Sequence, residues 1–227
     1  MDEKEKYMYA KKYIKSNDKV LEVGSGKGAF AKYLETKDYI GLDFIKNAKK
    51  MVFENGIKIE NETIQDYAKK YSESFDIVVS FQVLEHVSDP KSFIESKIKA
   101  LKMGGKLIVA VPSENSFLKY VTNGILNMPP HHVTRWSDET LRFISYKYNL
   151  KLIDIWHEKL QNAHKLWYLS TFIQNSILKP KLIDLSFKRK VVGKFASLIS
   201  RILYKGFKNE MLPVGQTIVA VYEKIEK

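Results

Sequence analysis

The first two-thirds of the chain alternates short β-branched, apolar runs with longer amphipathic stretches. This alternation is typical of repeated strand–helix–strand units, which build a parallel sheet with helices on both faces. The sequence therefore predicts an α/β fold. The runs predicted to be strands are Lys19–Val23, Tyr39–Leu42, Ile57–Glu60, Phe75–Ser80, Lys106–Val111 and Leu152–His157.

Local signals mark the ends of two helices. Asp89 followed by Pro90 is typical of a helix start, because an aspartate caps free N–H groups and proline fits the first turn. Gly104 and Gly105 are expected to end that helix before the fifth strand. Ser137 and the two acidic residues after it predict a further helix start.

The alternation stops between residues 161 and 212, in a stretch rich in aromatic residues and lysine. Such a stretch is too long for a loop in a compact domain, so we predict a basic helical insert. Residues 1–160 and 213–227 are expected to form the domain that carries it. The run Gly215–Tyr222, which follows the breaker Pro213, is predicted to be the last strand.

Within the insert, the spacing of apolar residues predicts an amphipathic helix. Its apolar face is expected to contain Val191, Phe195, Leu198, Ile199 and Ile202. Its basic residues are expected on the opposite side: Lys190, Lys194, Arg201, Lys205 and Lys208. Such a helix either covers an active site as a lid or contacts an anionic membrane surface, here through residues 188–208. Both roles stay open on the sequence.

The composition limits the chemistry and the location. The absence of cysteine excludes disulfides, thiolate metal sites and a covalent cysteine nucleophile. No apolar run approaches the roughly 20 residues of a membrane span, and the charged N-terminus is unlike a signal peptide. We therefore expect a cytoplasmic protein, with peripheral contact at the inner face of the membrane as an alternative. The net charge of +12 attracts polyanions without selecting among them.

A glycine-rich loop follows the first predicted strand. Gly24, Gly26 and Gly28 let the backbone turn sharply and approach a nucleotide-like ligand before a helix begins. Together with Ala29, the first two also fit the dinucleotide-binding fingerprint, so an NAD-dependent oxidoreductase stays open. Asp43 ends the second strand, where a carboxylate can accept hydrogen bonds from both ribose hydroxyls. Its alternative role is to cap the helix expected after it.

Three segments together resemble the class I S-adenosylmethionine-dependent methyltransferases, in their small-molecule branch. Residues 20–28, Val-Leu-Glu-Val-Gly-Ser-Gly-Lys-Gly, resemble the first motif of that family. Residues 75–90 resemble the fourth strand with the segment after it, and residues 101–107 the approach to the fifth strand. The resemblance covers about residues 19–136. It implies a Rossmann-like, doubly wound sheet of seven strands in the order 3-2-1-4-5-7-6, with the last strand antiparallel, and S-adenosylmethionine as the cofactor.

The resemblance also implies a set of cofactor-binding residues. They are Glu22, Gly24, Ser25, Gly26, Asp43, Phe44, Ile64, Gln65, Ser80 and Phe81. Within this set, Glu22 and the glycines position the methionine end, Asp43 the ribose, and Ile64 with Gln65 the adenine. The sequence departs from the pattern at Thr63, where many relatives have an aspartate near the adenine amino group.

The segment Pro129–Trp136 carries two imidazoles, a guanidinium and an indole ahead of a predicted helix. It resembles the segment that lines the acceptor pocket in one branch of these methyltransferases, and it follows a strand at the carboxyl edge of the sheet. His132 or His131 is predicted to act as a general base, and Arg135 and Trp136 are predicted to bind the acceptor. Alternatively, the histidines hold the loop in place through hydrogen bonds.

The adjacent pair Glu85 and His86 could also suggest metal or acid–base chemistry. Neighbouring residues on a helix point about 100° apart, so the pair is not expected to converge on one ion. We therefore predict a structural role for both residues and no metal site.

The favoured function is methyl transfer to an oxygen of a small-molecule, glycan or lipid-linked acceptor. Nucleic-acid methylation is an alternative because of the net charge of +12. Against it, the chain has neither an Asn-Pro-Pro-Tyr-like motif for amino-group methylation nor a cysteine to attack a pyrimidine ring. A peripheral membrane-binding module without enzymatic activity is a further alternative, motivated by the basic amphipathic helix.

Overall fold

A seven-stranded sheet organises the chain, which the computed structural model describes over residues 4–44, 57–206 and 214–226. Its strands are β1 (Val20–Val23), β2 (Tyr39–Leu42), β3 (Lys58–Glu60), β4 (Phe75–Phe81), β5 (Leu101–Pro112), β6 (Leu150–Lys159) and β7 (Val214–Lys224). Its α-helices are α1 (Lys4–Lys11), α2 (Ile64–Lys70), α3 (Pro90–Ala100), α4 (Asp138–Lys147), α5 (Asn162–Ile177) and α6 (Phe187–Leu203).

The strand order is β3-β2-β1-β4-β5-β7-β6, and β7 runs antiparallel to both of its neighbours. This confirms the order and the antiparallel last strand that were expected. The chain steps outward from β1 to β2 and β3, then returns to place β4 on the other side of β1. In open α/β sheets, ligands bind at the carboxyl ends of the strands beside such a reversal.

Both faces of the sheet are covered, because side chains of β4 alternate between two buried clusters. Val78 packs with Leu107 and Trp136 on one face, while Val79 packs with Phe30 and Ile108 on the other. A strand buried on both faces reads as a continuous apolar run. This burial fixes the carboxyl end of β4 as a rigid platform.

The predicted helix starts are confirmed, but one predicted helix end is wrong. Asp89 accepts a hydrogen bond from a first-turn N–H of α3 at 3.0 Å, and Ser137 caps α4 at 3.2 Å. However, α3 ends at Ala100, and β5 already begins with the buried Leu101. The glycine pair therefore lies within β5, where a Cβ at Gly105 would approach the carbonyl oxygen of Asp76 to 2.9 Å.

In place of the helix expected after the glycine loop, the structure has only a 3₁₀ turn, over Phe30–Tyr33. Gly28 has a φ of 68°, which continues the loop, and β2 already begins at Tyr39. The helix expected after Asp43 falls outside the described residues.

Within the interval 161–212, α5 and α6 pack against each other through small residues of α6. Ala196 and Ser200 are buried there, and a Cβ at Gly193 would lie 3.6 Å from Gln174. Most of the predicted apolar face is exposed instead: Val191, Phe195, Leu198 and Ile202 are all at least 49% exposed, whereas Ile199 is half-buried.

The basic residues of α6 therefore flank the exposed apolar stripe rather than lying opposite it. Lys190, Lys194 and Arg201 are all exposed, and each directly precedes a residue of the stripe, so it lies about 100° around the helix axis from that residue. The prediction assumed two faces, but the helix has a third, made of small residues, that binds α5. The side chain of Lys205 and all of Lys208 lie outside the described part, as does Pro213. The domain bounds stay a prediction.

Lys97 of α3 is fully buried against the sheet. Its ammonium Nζ donates to Ser80 Oγ at 2.6 Å and lies 5.4 Å from the ring centre of Phe93. Burial lowers the pKa of Lys97 to about 7. A lysine exposed in the unfolded chain has a pKa of about 10.4, so the unfolded state binds more protons between these values.

We predict that the stability of the protein rises with pH through Lys97. From pH 7 to pH 10, the free energy of unfolding should increase relative to a Lys97→Met variant by up to about 1.4 kcal/mol per pH unit. Urea unfolding at several pH values measures this difference. Lys99→Met, an exposed lysine on the same helix, is the control and should give a curve parallel to the wild type. Parallel curves for Lys97→Met would mean that the buried amine stays charged.

Candidate functional site

The loop after β1 is held in its conformation by glycines and by the end of β2. Gly24, Gly26 and Gly28 have φ angles of 78°, 54° and 68°, in the left-handed region. The N–H groups of Gly24 and Ser25 both donate to the carbonyl of Leu42, at 2.8 and 3.1 Å. The loop is therefore fixed to the neighbouring strand at the carboxyl edge of the sheet.

Asp43 closes this loop from the side of β2. Its Oδ2 accepts a hydrogen bond from the N–H of Gly26 at 2.6 Å. Asp43, which is predicted to bind the ribose, therefore also braces the glycine loop, and nothing among the described residues donates a hydrogen bond to its Oδ1. A Cβ placed on Gly26 would meet no atom of the described residues within 4 Å, so the loop borders open space there. These features fit a nucleoside cofactor bound beside Gly26 and Asp43.

Glu22 is buried below the loop, with only 2% of its surface exposed. It accepts a hydrogen bond from the hydroxyl of Tyr39. Burial, together with the charge of Glu22, raises the pKa of that hydroxyl. The carboxylate is thus held rigidly under the position predicted for the methionine end. Ser25 is buried beside it, against Gly41, where a side chain would overlap the serine.

Other predicted cofactor residues have side chains committed to packing. Ser80 is wholly buried and accepts the hydrogen bond from Lys97, while Phe81 packs against Phe30 at 4.8 Å between ring centres. Ile64 is 2% exposed and lies in the core, next to the half-buried Gln65. Their cofactor roles stay predictions. Their backbone atoms are better placed to contact a cofactor than their side chains are.

At the adenine end, Thr63 caps α2, accepting a hydrogen bond from the N–H of Asp66 at 3.0 Å. The first N–H groups of any helix lack partners within that helix. The backbone N–H groups of Ile64 and Gln65 are therefore better placed than their side chains to donate hydrogen bonds to an adenine. Phe44 is 67% exposed and precedes residues 45–56, which lie outside the described part.

A cavity of about 880 Å³ lies beyond the carboxyl ends of β4 and β5, where Gln82 and Pro112 line it. Most of its wall is apolar and comes from residues 118–121 and 123–128, Trp167 and Leu182. Polar side chains gather on the rest of the wall: Lys6, Gln82, Asn127, His132, Arg135, Glu158, Gln161, His164, Gln216 and Thr217 are among them. A largely apolar cavity with convergent polar groups is typical of small-molecule sites.

The segment Pro129–Trp136 is fixed to a 3₁₀ turn over Leu84–His86 that follows β4. The N–H of Val133 donates to the carbonyl of Glu85 at 2.8 Å, and the Thr134 hydroxyl donates to the carbonyl of Leu84 at 3.2 Å. The turn after β4 and the segment Pro129–Trp136 are therefore held together, although they are far apart in the sequence.

The four residues predicted on the acceptor side have different positions. His132 and Arg135 line the cavity, and Arg135 Nη2 donates to the carbonyl of Asn127 at 3.1 Å. Trp136 lies in the core instead, 6% exposed, and its indole N–H donates to Thr134. The side chain of His131 is exposed to solvent. Only two of the four thus reach the cavity, so the predicted contacts of Trp136 and His131 with an acceptor find no support in their positions.

The structure brings Glu85, His86 and His132 together at one end of this wall. One potential ligand atom from each lies within 4.8 Å of the others, and His86 Nε2 is 3.8 Å from Glu85 Oε1. The 3.8 Å distance shows that the two side chains approach each other although they are neighbours on a 3₁₀ turn, so the expectation that they diverge is wrong. Burial raises the pKa of Glu85 to about 7 and lowers that of His132, whose charged neighbours add to the shift.

Several residues of the cavity were missed by the sequence analysis. Gln82 directly follows β4 and has a φ of 55°, and its place after a predicted strand could have suggested it. Lys6 and Glu158 lie 152 positions apart and meet only through the fold. Neither has a local signal in the sequence.

Comparison with known proteins identifies related chains. The family model described as a methyltransferase domain matches residues 4–165. Ubiquinone biosynthesis O-methyltransferases of Salmonella newport and Salmonella typhimurium are each 33% identical over 147 residues. That match covers 54% of this chain and 61% of each relative, so the chain spans less than two-thirds of their length.

Solved structures share the fold at low sequence identity. A SAM-dependent methyltransferase from Archaeoglobus fulgidus has a TM-score of 0.62 and 19% identity, over 96% of this chain and 90% of that one. The YcgJ protein from Bacillus subtilis has a TM-score of 0.61 and 18% identity, over 98% and 99%. At such identities the likeness concerns the fold alone.

We predict that Asp43→Asn weakens the binding of S-adenosylmethionine about ten- to hundredfold. The asparagine can still accept from Gly26, but it loses the charge that strengthens hydrogen bonds from ribose hydroxyls, which is worth about 1.5–3 kcal/mol. Isothermal titration calorimetry measures the affinity. Asp18→Asn, a carboxyl group at the opposite edge of the sheet, is the charge-matched control. Unchanged affinity in Asp43→Asn would mean that Asp43 only braces the loop.

Proposed function

The chain belongs to the class I S-adenosylmethionine-dependent methyltransferases, and on that premise we propose that it methylates an oxygen of a small-molecule acceptor. The observation that carries the proposal is the cavity of about 880 Å³, which has His132 and Gln82 in its wall at the carboxyl edge of the sheet, where ligands of doubly wound folds bind. The names of the Salmonella O-methyltransferases support oxygen as the methylated atom. Membership of this family removes the reason for the oxidoreductase alternative.

The residues of this chain bring two reactants together. When bound, S-adenosylmethionine supplies a methyl group that its sulfonium already activates. The braced loop and Asp43 hold the cofactor at the ends of β1 and β2, and the cavity holds the acceptor beyond the end of β4. Alignment of the acceptor oxygen and exclusion of water then supply several kcal/mol of the rate enhancement.

The cavity favours an acceptor with an apolar body and a hydroxylated end. Glu158 is 4% exposed and accepts a hydrogen bond from the Gln161 amide at 2.6 Å, so a carboxylate is held in the wall. Such a group binds a hydroxyl or an amine. The apolar wall near Leu118 and Leu182 suits the rest of the acceptor.

His132 is proposed to meet the acceptor hydroxyl. Its Nδ1 lies 3.0 Å from Asn127 Oδ1, which holds the ring, and the residue lines the cavity. His131 acts differently, as a positioning residue, since its carbonyl lies 2.6 Å from His86 Nδ1. Arg135 is proposed to contact the acceptor from the same wall.

We predict that His132→Ala lowers kcat by at least about a hundredfold, while the dissociation constant for S-adenosylmethionine stays within about twofold. A group that acts on the acceptor proton contributes about this much. Small-molecule acceptors are screened with a labelled methyl donor, and the variants are then compared on the best one. His157→Asn, an imidazole outside the cavity that pairs with Asp138, is the control. Equal losses in turnover and cofactor affinity would argue for an architectural His132, and label appearing only in RNA would contradict the proposed substrate class.

Contact with a membrane surface is a second proposal, and the exposed stripe of α6 favours it. Phe187, Leu198 and Ile202 are 81%, 60% and 70% exposed, and basic residues flank them. Leu182 and Ile125 are more than half exposed and also line the cavity. Docking of this surface on an anionic bilayer would bring a lipid-linked acceptor, such as a glycolipid, to the cavity from the membrane. No helix in the described ranges has the length and apolar character needed to cross a bilayer.

We predict that the protein sediments with phosphatidylglycerol vesicles and much less with phosphatidylcholine vesicles. Leu198→Ser combined with Ile202→Ser should reduce the bound fraction more than tenfold, because each buried side chain contributes about 1.5–3 kcal/mol. Phe143→Ser combined with Tyr146→Ser removes exposed apolar residues from α4 and is the matched control. A wild type that stays in the supernatant, or equal losses in both double variants, would contradict the membrane proposal.

A further inference from the structure

We propose that Glu85, His86 and His132 bind one divalent transition-metal cation at the wall of the acceptor cavity. The binding itself is independent of the proposed function, and only the role of the cation rests on it. The three side chains come from the turn after β4 and from the segment fixed to that turn. Their ligand-type atoms all lie within 4.8 Å of one another.

The buried carboxylate points to a missing ligand. Glu85 is 1% exposed, and within the described ranges neither of its oxygens has a hydrogen-bond partner. Lys6 and His86 are the basic groups whose charge acts on it, but neither donates a hydrogen bond to it. Its charged contact with His86, at 3.8 Å between Nε2 and Oε1, is too long for a hydrogen bond, and a buried carboxylate without hydrogen bonds costs several kcal/mol. A bound cation removes that cost.

The two imidazoles are oriented as metal ligands are. His86 Nδ1 lies 2.6 Å from the carbonyl oxygen of His131, and a carbonyl can only accept, so Nδ1 carries the hydrogen. His132 Nδ1 is held in the same way, 3.0 Å from Asn127 Oδ1. Each neutral ring therefore presents an unprotonated Nε2. Hydrogen bonds of this kind fix the tautomer and orientation of histidines that bind metals.

The spacing of the three groups needs only a small closure. Any two ligand atoms bound to a tetrahedral zinc ion lie about 3.3 Å apart, since each bond is about 2.0–2.2 Å. His86 Nε2 and Glu85 Oε1 are 3.8 Å apart, and the ring centres of His86 and His132 are 4.9 Å apart. The side chain of His86 is 48% exposed, which gives an ion a path to the site.

The ligand set selects the class of cation. Two imidazole nitrogens and one carboxylate oxygen suit Zn²⁺ and its transition-metal neighbours, whereas Mg²⁺ and Ca²⁺ prefer oxygen ligands alone. Three protein ligands leave at least one coordination position, and His132 places it beside the cavity. The cation thus binds the acceptor through its hydroxyl oxygen.

The role of the cation follows from this position. It favours loss of the hydroxyl proton, which passes to water. The oxygen lone pair then forms the bond to the methyl carbon, and the electron pair of the broken carbon–sulfur bond stays on sulfur. In the metal-bound protein His132 acts on the acceptor hydroxyl through the cation, so the loss of turnover expected for His132→Ala follows from the loss of a metal ligand. The net charge is balanced, and no oxidant or reductant is needed.

The test is direct metal binding by tag-free protein after dialysis against a chelator. Isothermal titration with Zn²⁺ should give one site per chain, and Glu85→Gln and His86→Asn should each weaken it at least tenfold. Titration with Co²⁺ should give a visible absorption spectrum in the wild type that both variants lose. His131→Ala is the matched control, because it removes an exposed imidazole from the same segment and keeps the carbonyl that orients His86.

The affinity for S-adenosylmethionine, measured in the same samples, reports whether each variant is folded. Unchanged cofactor affinity with lost Zn²⁺ binding supports the metal site. Absence of Zn²⁺ and Co²⁺ binding in the wild type, or equal binding in Glu85→Gln, overturns it. Zn²⁺ binding by a protein that methylates none of the acceptors supports the site and contradicts only the proposed function. Full turnover in metal-free protein overturns the catalytic role of the cation.

Discussion

The hydrogen bond from Gly26 to Asp43 joins the two halves of the proposed cofactor site. It ties the loop after β1 to the end of β2, beside the point where the chain reverses its direction across the sheet. Because β1, β2 and β4 are buried neighbours, their carboxyl ends form one rigid edge. The cavity proposed for the acceptor and the segment carrying His132 are both built outward from that edge. The site therefore depends on a short polar contact supported by an apolar sheet.

The wall between cofactor and acceptor is a second rigid unit. Backbone hydrogen bonds to Glu85 hold the segment of His132 against the turn after β4. The buried charge of Glu85 opposes folding unless something compensates it. Functional sites often keep such groups at a cost that the surrounding core covers. The exposed stripe of α6 is a similar exception at the surface, where apolar side chains remain in water unless a partner covers them.

Patterns confined to a few neighbouring residues were predictable from the sequence. The strand order followed from the family resemblance, and the caps at Asp89 and Ser137 followed from local hydrogen-bonding chemistry. The predictions were wrong where contacts between distant parts of the chain determine the local structure. Leu101 joins β5 because it pairs with Phe75, and α6 turns its small residues toward α5. The meeting of Glu85 with His132 could not be predicted either, since 46 residues separate them in the chain.

A crystal structure of the protein with S-adenosylhomocysteine, the demethylated product, would show whether the loop after β1 and Asp43 bind the cofactor. We expect the ribose hydroxyls within hydrogen-bonding distance of Asp43 and the sulfur facing the cavity between Gln82 and His132. A product bound away from the glycine loop, or with its sulfur turned from the cavity, would show that the cofactor binds elsewhere.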